Sequence, residues 1–145
     1  MSKLTDTKRA YEEIAGLLDQ QIRKGGNRAK ELERFRDALR AAFYLLGWAQ
    51  FEHLVRTKAK DIIENQSRSK TIDGHAWRFV SANLKGVRVR DQLDIIFHAD
   101  QKLRQSLKDD YQVRNDVAHN YKLLPPEAQD IAAWLDDFEK LIDKF

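Results

Sequence analysis

Apolar residues return at three- and four-residue steps along most of this chain, the period of helices that turn one face to a core. Leu4, Tyr11, Ile14, Leu18 and Ile22 mark a first helix over about Asp6 to Lys24. Gly25-Gly26-Asn27 stops it, because glycine and asparagine tolerate the left-handed backbone of a helix end. A long second helix spans about Arg28 to Asn65 and opens on mixed charge suited to solvent, Lys30-Glu31-Leu32-Glu33-Arg34. Its middle, Ala41 to Phe51, is apolar on nearly every side. That predicts burial all round, either as the central helix or within a subunit interface. Gly47 lies in this stretch and costs the helix about 1 kcal/mol against alanine, so it predicts close approach by another helix rather than a hinge. Ile62 and Ile63 are the last core contacts expected of this helix.

The next stretch changes character. Ser67-Arg68-Ser69-Lys70 reads as a loop, and Asp73-Gly74 as a turn, or as Asp73 capping a short helix from about His75 to Leu84. A third helical region starts near Asp91, with Leu93, Ile96, Leu103, Leu107 and Tyr111 on its core face. Charge clustered at Lys108-Asp109-Asp110 admits a break there, since aspartates cap helices. Leu123-Leu124-Pro125-Pro126 ends the region, and a final helix from Glu127 onward buries Ile131, Leu135, Phe138, Leu141, Ile142 and Phe145, with Trp134 at its flank. No strand-period alternation of any length appears, so the predicted fold class is all-α.

Length and composition narrow the field. The 145 residues suit one domain, 1–145, with 42% apolar and 34% charged residues, an ordinary globular balance. The absence of cysteine excludes disulfides, thiolate nucleophiles and cysteine metal sites. The charged N-terminus lacks the apolar run of a signal peptide, and no stretch approaches the roughly 20 apolar residues of a bilayer span. A cytoplasmic location with no membrane partner is the expectation. The net charge of +3 is only mildly basic, but it is unevenly spread. Between Arg68 and Arg90, six basic residues (Arg68, Lys70, Arg78, Lys85, Arg88 and Arg90) stand against a single acidic residue, Asp73, with Trp77 and Phe79 among them. Basic residues interleaved with aromatics suit a single-stranded nucleic acid, charge for phosphates and rings for bases. A solvated connection whose aromatics cover the core is the commoner meaning of such a run.

Neither a glycine-rich phosphate loop nor a nucleophile elbow is present, and the histidines are too scattered for a metal-ligand set, so no metal or cofactor is expected. His53 on the apolar helix reads as a core histidine near Glu52, His75 as solvated, and His98 sits two residues from Asp100, a diverging spacing on a helix. His119 stands out by its company in Arg114-Asn115-Asp116-Val117-Ala118-His119-Asn120-Tyr121. Histidine gives and takes protons near neutral pH. Arginine is permanently charged and presents a fork that matches phosphate oxygens. Asn115 can hydrogen-bond either group or a ligand. The set suits metal-free RNA cleavage by the RNA's own 2′-hydroxyl, in which one group takes a proton, one steadies the phosphorus-centred charge and one protonates the leaving oxygen. On an ideal helix Asn115 and His119 share a face, while Arg114 lies roughly 140° round from His119. A structural reading also accounts for the pair, since basic residues at a helix C-terminus favour the dipole and bond free carbonyls.

Arg114-Asn115-Asp116-Val117-Ala118-His119 resembles the signature of the HEPN superfamily, an arginine followed after four to six residues by histidine, commonly with asparagine next to the arginine. The Leu103, Leu107, Tyr111 rhythm and Phe51-Glu52 on a long apolar helix are similar as well, and Tyr121 completes a form seen in HEPN toxins paired with a nucleotidyltransferase antitoxin. The resemblance implies an antiparallel four- or five-helix bundle, here with an extra basic loop and short helix around 67–89. It implies a homodimer whose two motifs meet in one composite site, and metal-independent endoribonuclease activity, often in toxin–antitoxin or phage-defence systems. It casts His119 as acid/base, Arg114 as the phosphate-binding group, Asn115 as an assistant and Tyr121 as the position an antitoxin would modify. A second expectation from the same resemblance is a non-catalytic module that binds a nucleotide or a protein partner. A helix-turn-helix DNA binder is disfavoured by the want of a short recognition helix with a basic, polar face.

Overall fold

A computed structural model describes residues 3–120 and 122–145. The fold is all-α, as the periodicity predicts, with no strand among the described residues. Six α-helices follow one another: α1 Lys3–Arg23, α2 Ala29–Ser67, α3 Ile72–Ala82, α4 Val89–Ile96, α5 Gln101–Asn120 and α6 Ile131–Ile142. Short 3₁₀ turns occupy Leu84–Gly86 and Pro126–Ala128. None of these helices is long and apolar enough to cross a membrane. Gly25 and Gly26 take positive φ, 69° and 98°, and close α1 where the sequence predicts.

Three boundaries differ from the sequence reading. The short third helix begins earlier, because Thr71 rather than Asp73 is its cap, the Thr71 hydroxyl accepting from the Gly74 amide at 3.4 Å. Position 74 must be glycine, since a Cβ there would run into the Ser69 carbonyl. The third helical region breaks at Phe97–Asp100, not at 108–110; Asp100 caps α5 by accepting from the Leu103 amide at 2.9 Å. The charges at 108–110 have another task. Lys108, with Arg104, clamps Asp94 of α4 at 2.7 and 3.1 Å, while Asp109 accepts from Gln105. The final helix starts at Ile131 instead of Glu127, with Asp130 accepting from the Ala133 amide at 3.1 Å.

The chain divides into two compact units, Met1–Gln50 with Arg114–Lys144, and Phe51–Val113 with Phe145. The first is built on an aromatic cluster. Tyr44 and Trp48, both buried, meet Trp134 and Phe138 of α6 with ring centroids 4.7 and 4.8 Å apart. Gly47 makes this approach possible, since a Cβ there would lie 2.7 Å from both Leu135 and the Trp134 ring. Helix α1 packs antiparallel along α2, with Thr7 donating to Gln50 at 2.9 Å, Tyr11 against the Phe43 ring, and Arg36 3.6 Å from Asp19. Lys8 and Thr5 tie α1 to Asp136 and Glu139 of α6. The apolar stretch of α2 is therefore not buried all round. Ala42, Leu46 and Ala49 remain exposed, and so do Phe35 further up α2 and Ile14 and Leu17 of α1.

The second unit buries Phe51, Val55, Ala59 and Ile63, four α2 residues one helical turn apart and all without solvent exposure. Leu93, Phe97 and Leu107 belong to the same buried set. Phe145, only half-buried, packs against this set, its ring 6.2 Å from Phe51 and 5.7 Å from Phe97.

Candidate functional site

The motif occupies the last turns of α5. Val117 is buried and sets the inward side of the helix, so Arg114, three residues earlier, runs its stem along that side and is half-buried. Its guanidinium stays partly within that side, the Nε atom being buried. Nη1 donates to the Asn115 side-chain oxygen at 2.9 Å. Asn115 in turn lies one turn before His119, on the same face. Asn115 thus holds one end of the Arg114 guanidinium at a position one turn before His119. His119 is exposed and close to the C-terminal end of α5, where cations also favour the helix dipole.

A neighbour the sequence did not single out is Asp116. It accepts from Asn120 Nδ2 at 3.3 Å and faces Lys122 at 3.6 Å, so two i,i+4 pairs, Asn115 with His119 and Asp116 with Asn120, lie side by side at the helix end. The spacing was legible; the charge of Lys122 beyond the helix end was not, because it depends on how the chain leaves α5. Tyr121 lies outside the described residues. Among the described residues no three His, Asp or Glu side chains gather as a metal-ligand set.

The six basic residues between Arg68 and Arg90 have unlike fates. Arg78 donates to the Ser67 and Ser69 carbonyls at 2.9 Å each and holds the loop before α3. Arg88 pairs with Asp91 at 3.2 Å on the surface. Arg68, Lys70 and Arg90 are exposed. Lys85 alone joins a concave surface, together with His53, Arg56 and Lys60 of α2. His53, expected in the core, is exposed instead, because the buried residues of α2 in this half are Phe51, Val55, Ala59 and Ile63. Arg56 and Lys60 were missed. Their i,i+3 and i,i+7 relation to His53 was visible, but the opposing turn at Leu84–Gly86 was not. Of the two interleaved aromatics Trp77 is half-buried, whereas Phe79 is 71% exposed.

Compared with protein-family models, with curated proteins and with solved structures, the chain matches none.

Proposed function

We propose that this chain is a metal-independent endoribonuclease of the HEPN type, acting as a homodimer with a composite site. The observation that supports the reading is the Arg114–Asn115 hydrogen bond, which holds one end of the guanidinium at a residue one turn before the exposed His119. Within one chain the guanidinium and the imidazole approach a common phosphate from different sides. A second copy about a two-fold axis supplies the complementary pair. In the reaction a base removes the 2′-hydroxyl proton and the freed oxygen attacks phosphorus. Arg114 steadies the charge on the non-bridging oxygens, and His119 delivers a proton to the departing 5′-oxygen. The bond from phosphorus to that oxygen breaks, leaving a 2′,3′-cyclic phosphate and a 5′-hydroxyl.

The first unit offers a surface for the second copy. Phe35, Leu39, Ala42, Leu46 and Ala49 follow the alternating four- and three-residue steps of a coiled-coil seam, and Phe35 and Leu46 are 47% and 43% exposed. A toxin–antitoxin or phage-defence setting belongs to the same proposal, with a nucleotidyltransferase-type antitoxin as partner and Tyr121 as its target. The competing reading, a non-catalytic module binding a nucleotide or a protein, requires no turnover. Incubating the purified protein with RNA in EDTA, beside His119→Ala, separates the two. Cleavage by the first and not the second supports the enzyme; inertness of both, in a protein that sediments as a dimer, supports the module.

A further inference from the structure

Within the second unit, α2, the α3 end and the following 3₁₀ turn enclose a cleft of about 860 Å³, within the usual range for a small-ligand site. Its lining includes His53, Arg56, Lys60 and Lys85 and no acidic residue. Arg56 and Lys60 face Glu52 and Glu64 on their own helix at 3.8 and 3.6 Å, but such i,i+4 surface pairs hold weakly in water and yield to a phosphate. At the wall stands Gln92, only 3% exposed. Its Nε2 donates to the Val87 carbonyl at 2.9 Å, while its Oε1 is buried with no hydrogen-bond partner. A buried acceptor left unsatisfied is unfavourable, so this oxygen calls for a donor entering the cleft. One turn before Ala82 and Asn83, which also line the cleft, Phe79 presents its ring to solvent.

We propose that this cleft binds a segment of single-stranded RNA, with Arg56, Lys60 and Lys85 on consecutive phosphates, Gln92 Oε1 accepting from a ribose hydroxyl or a base amino group, and Phe79 stacking on a base. Cations without carboxylates in the lining select a polyanion; a buried acceptor selects one that carries N–H or O–H donors, which sulfate lacks; an exposed ring selects one with bases. The identification of that polyanion as RNA rests on the ribonuclease reading. The cleft itself does not include Arg114 or His119 and is separable from it.

The test uses the full chain carrying His119→Ala and a fluorescein-labelled oligouridylate, read by anisotropy over a salt series. The double substitution Lys60→Ala with Lys85→Ala is expected to weaken binding and to flatten the salt dependence by about 0.7 per lost phosphate contact. Phe79→Ala should weaken binding roughly tenfold with an unchanged salt slope, as a stacking contact does. Gln92→Leu, which keeps size but loses both the acceptor and the Nε2 bond to the Val87 carbonyl, should weaken binding severalfold and lower the thermal transition modestly. Wild-type affinity and slope in the lysine double variant would overturn the proposal, as would failure to bind the oligomer at all. Uridine monophosphate binding as tightly as the oligomer would also overturn it, since a strand site gains from successive phosphates. Cleavage is scored separately on the chain without His119→Ala. Loss of RNA affinity in the cleft variants of a protein that never cleaves would sink the ribonuclease reading alone; cleavage with unaltered binding in those variants would sink the cleft alone.

Discussion

The guanidinium of Arg114 donates to the side-chain oxygen of Asn115 at 2.9 Å, although the two residues are adjacent on a helix and their Cβ atoms diverge. The contact fixes the end of a guanidinium that leaves α5 on the half-buried side and whose Nε is itself buried. Asn115 therefore acts as a hook that determines where the fork points. Asn115→Ala should lower cleavage by less than Arg114→Ala does, and mainly through weaker use of substrate. Arg114→Ala should cost on the order of 10²-fold or more in kcat, as removal of a positioned transition-state donor does. Arg114→Lys should recover little, having no fork for two phosphate oxygens and no planar group for Asn115 to hold. Single-turnover kinetics on the three variants checks the order.

The close approach at Gly47 predicts a stability effect remote from the chemistry. Alanine there would gain about 1 kcal/mol of helix propensity. Its Cβ would meet Leu135 and the Trp134 ring at 2.7 Å, and overpacking of that kind costs about 1–3 kcal/mol. Gly47→Ala should thus be neutral to destabilising by roughly 2 kcal/mol, whereas a glycine-to-alanine change at Gly16, where a Cβ meets nothing within 4 Å, should stabilise. Urea unfolding of both variants measures the contrast.

Lys8 bonds both carboxylate oxygens of Asp136, at 2.8 and 2.7 Å, and joins α1 to α6. The hydrogen bond, aided by the attraction of the carboxylate, holds the Lys8 ammonium above its ordinary 10.5 against partial desolvation. A raised value in the folded state means that the stabilisation is fully present below 10.5 and is lost as pH climbs through the raised value. Lys8→Met should therefore melt below the unmodified protein at neutral pH, and the gap should close at strongly alkaline pH. Thermal melts across that range follow it; a gap that widens with pH would contradict the assignment.

The coiled-coil steps from Phe35 to Ala49 predict the consequence of a charge. Leu46→Glu should shift the protein to monomer in sedimentation without loss of helicity, because Leu46 is 43% exposed within the chain. In a composite site the same variant should lose cleavage with Arg114 and His119 intact.

Much of this was readable in the sequence for reasons that differ by element. The all-α class, α1, the long α2 and the role of Gly47 followed from periodicity and from one costly glycine, both local signals. The break before α5 was misplaced because the charges of Lys108 and Asp109 resemble a cap cluster, while Lys108 reaches sideways to Asp94, a tertiary pairing with no local signature. Burial of α2 was overestimated for the same kind of reason: which apolar face α6 covers depends on where Trp134 and Phe138 arrive. At the motif, Arg114, Asn115 and His119 were legible as residue types at a spacing, but the turn of the guanidinium onto Asn115 was not. Of the basic run, only Lys85 reached the cleft, since its partners Arg56 and Lys60 come from a helix distant in sequence.

The ends of the RNA fragments bear most directly on the proposed chemistry. Mass spectrometry of products made in EDTA by the unmodified protein, with His119→Ala in parallel, reads the chemistry itself. Fragments ending in a 2′,3′-cyclic phosphate or its hydrolysed monophosphate, opposite a free 5′-hydroxyl, and absent with His119→Ala, are the predicted result. Fragments bearing 5′-phosphates and 3′-hydroxyls, or fragments that persist at full yield in His119→Ala, would contradict it.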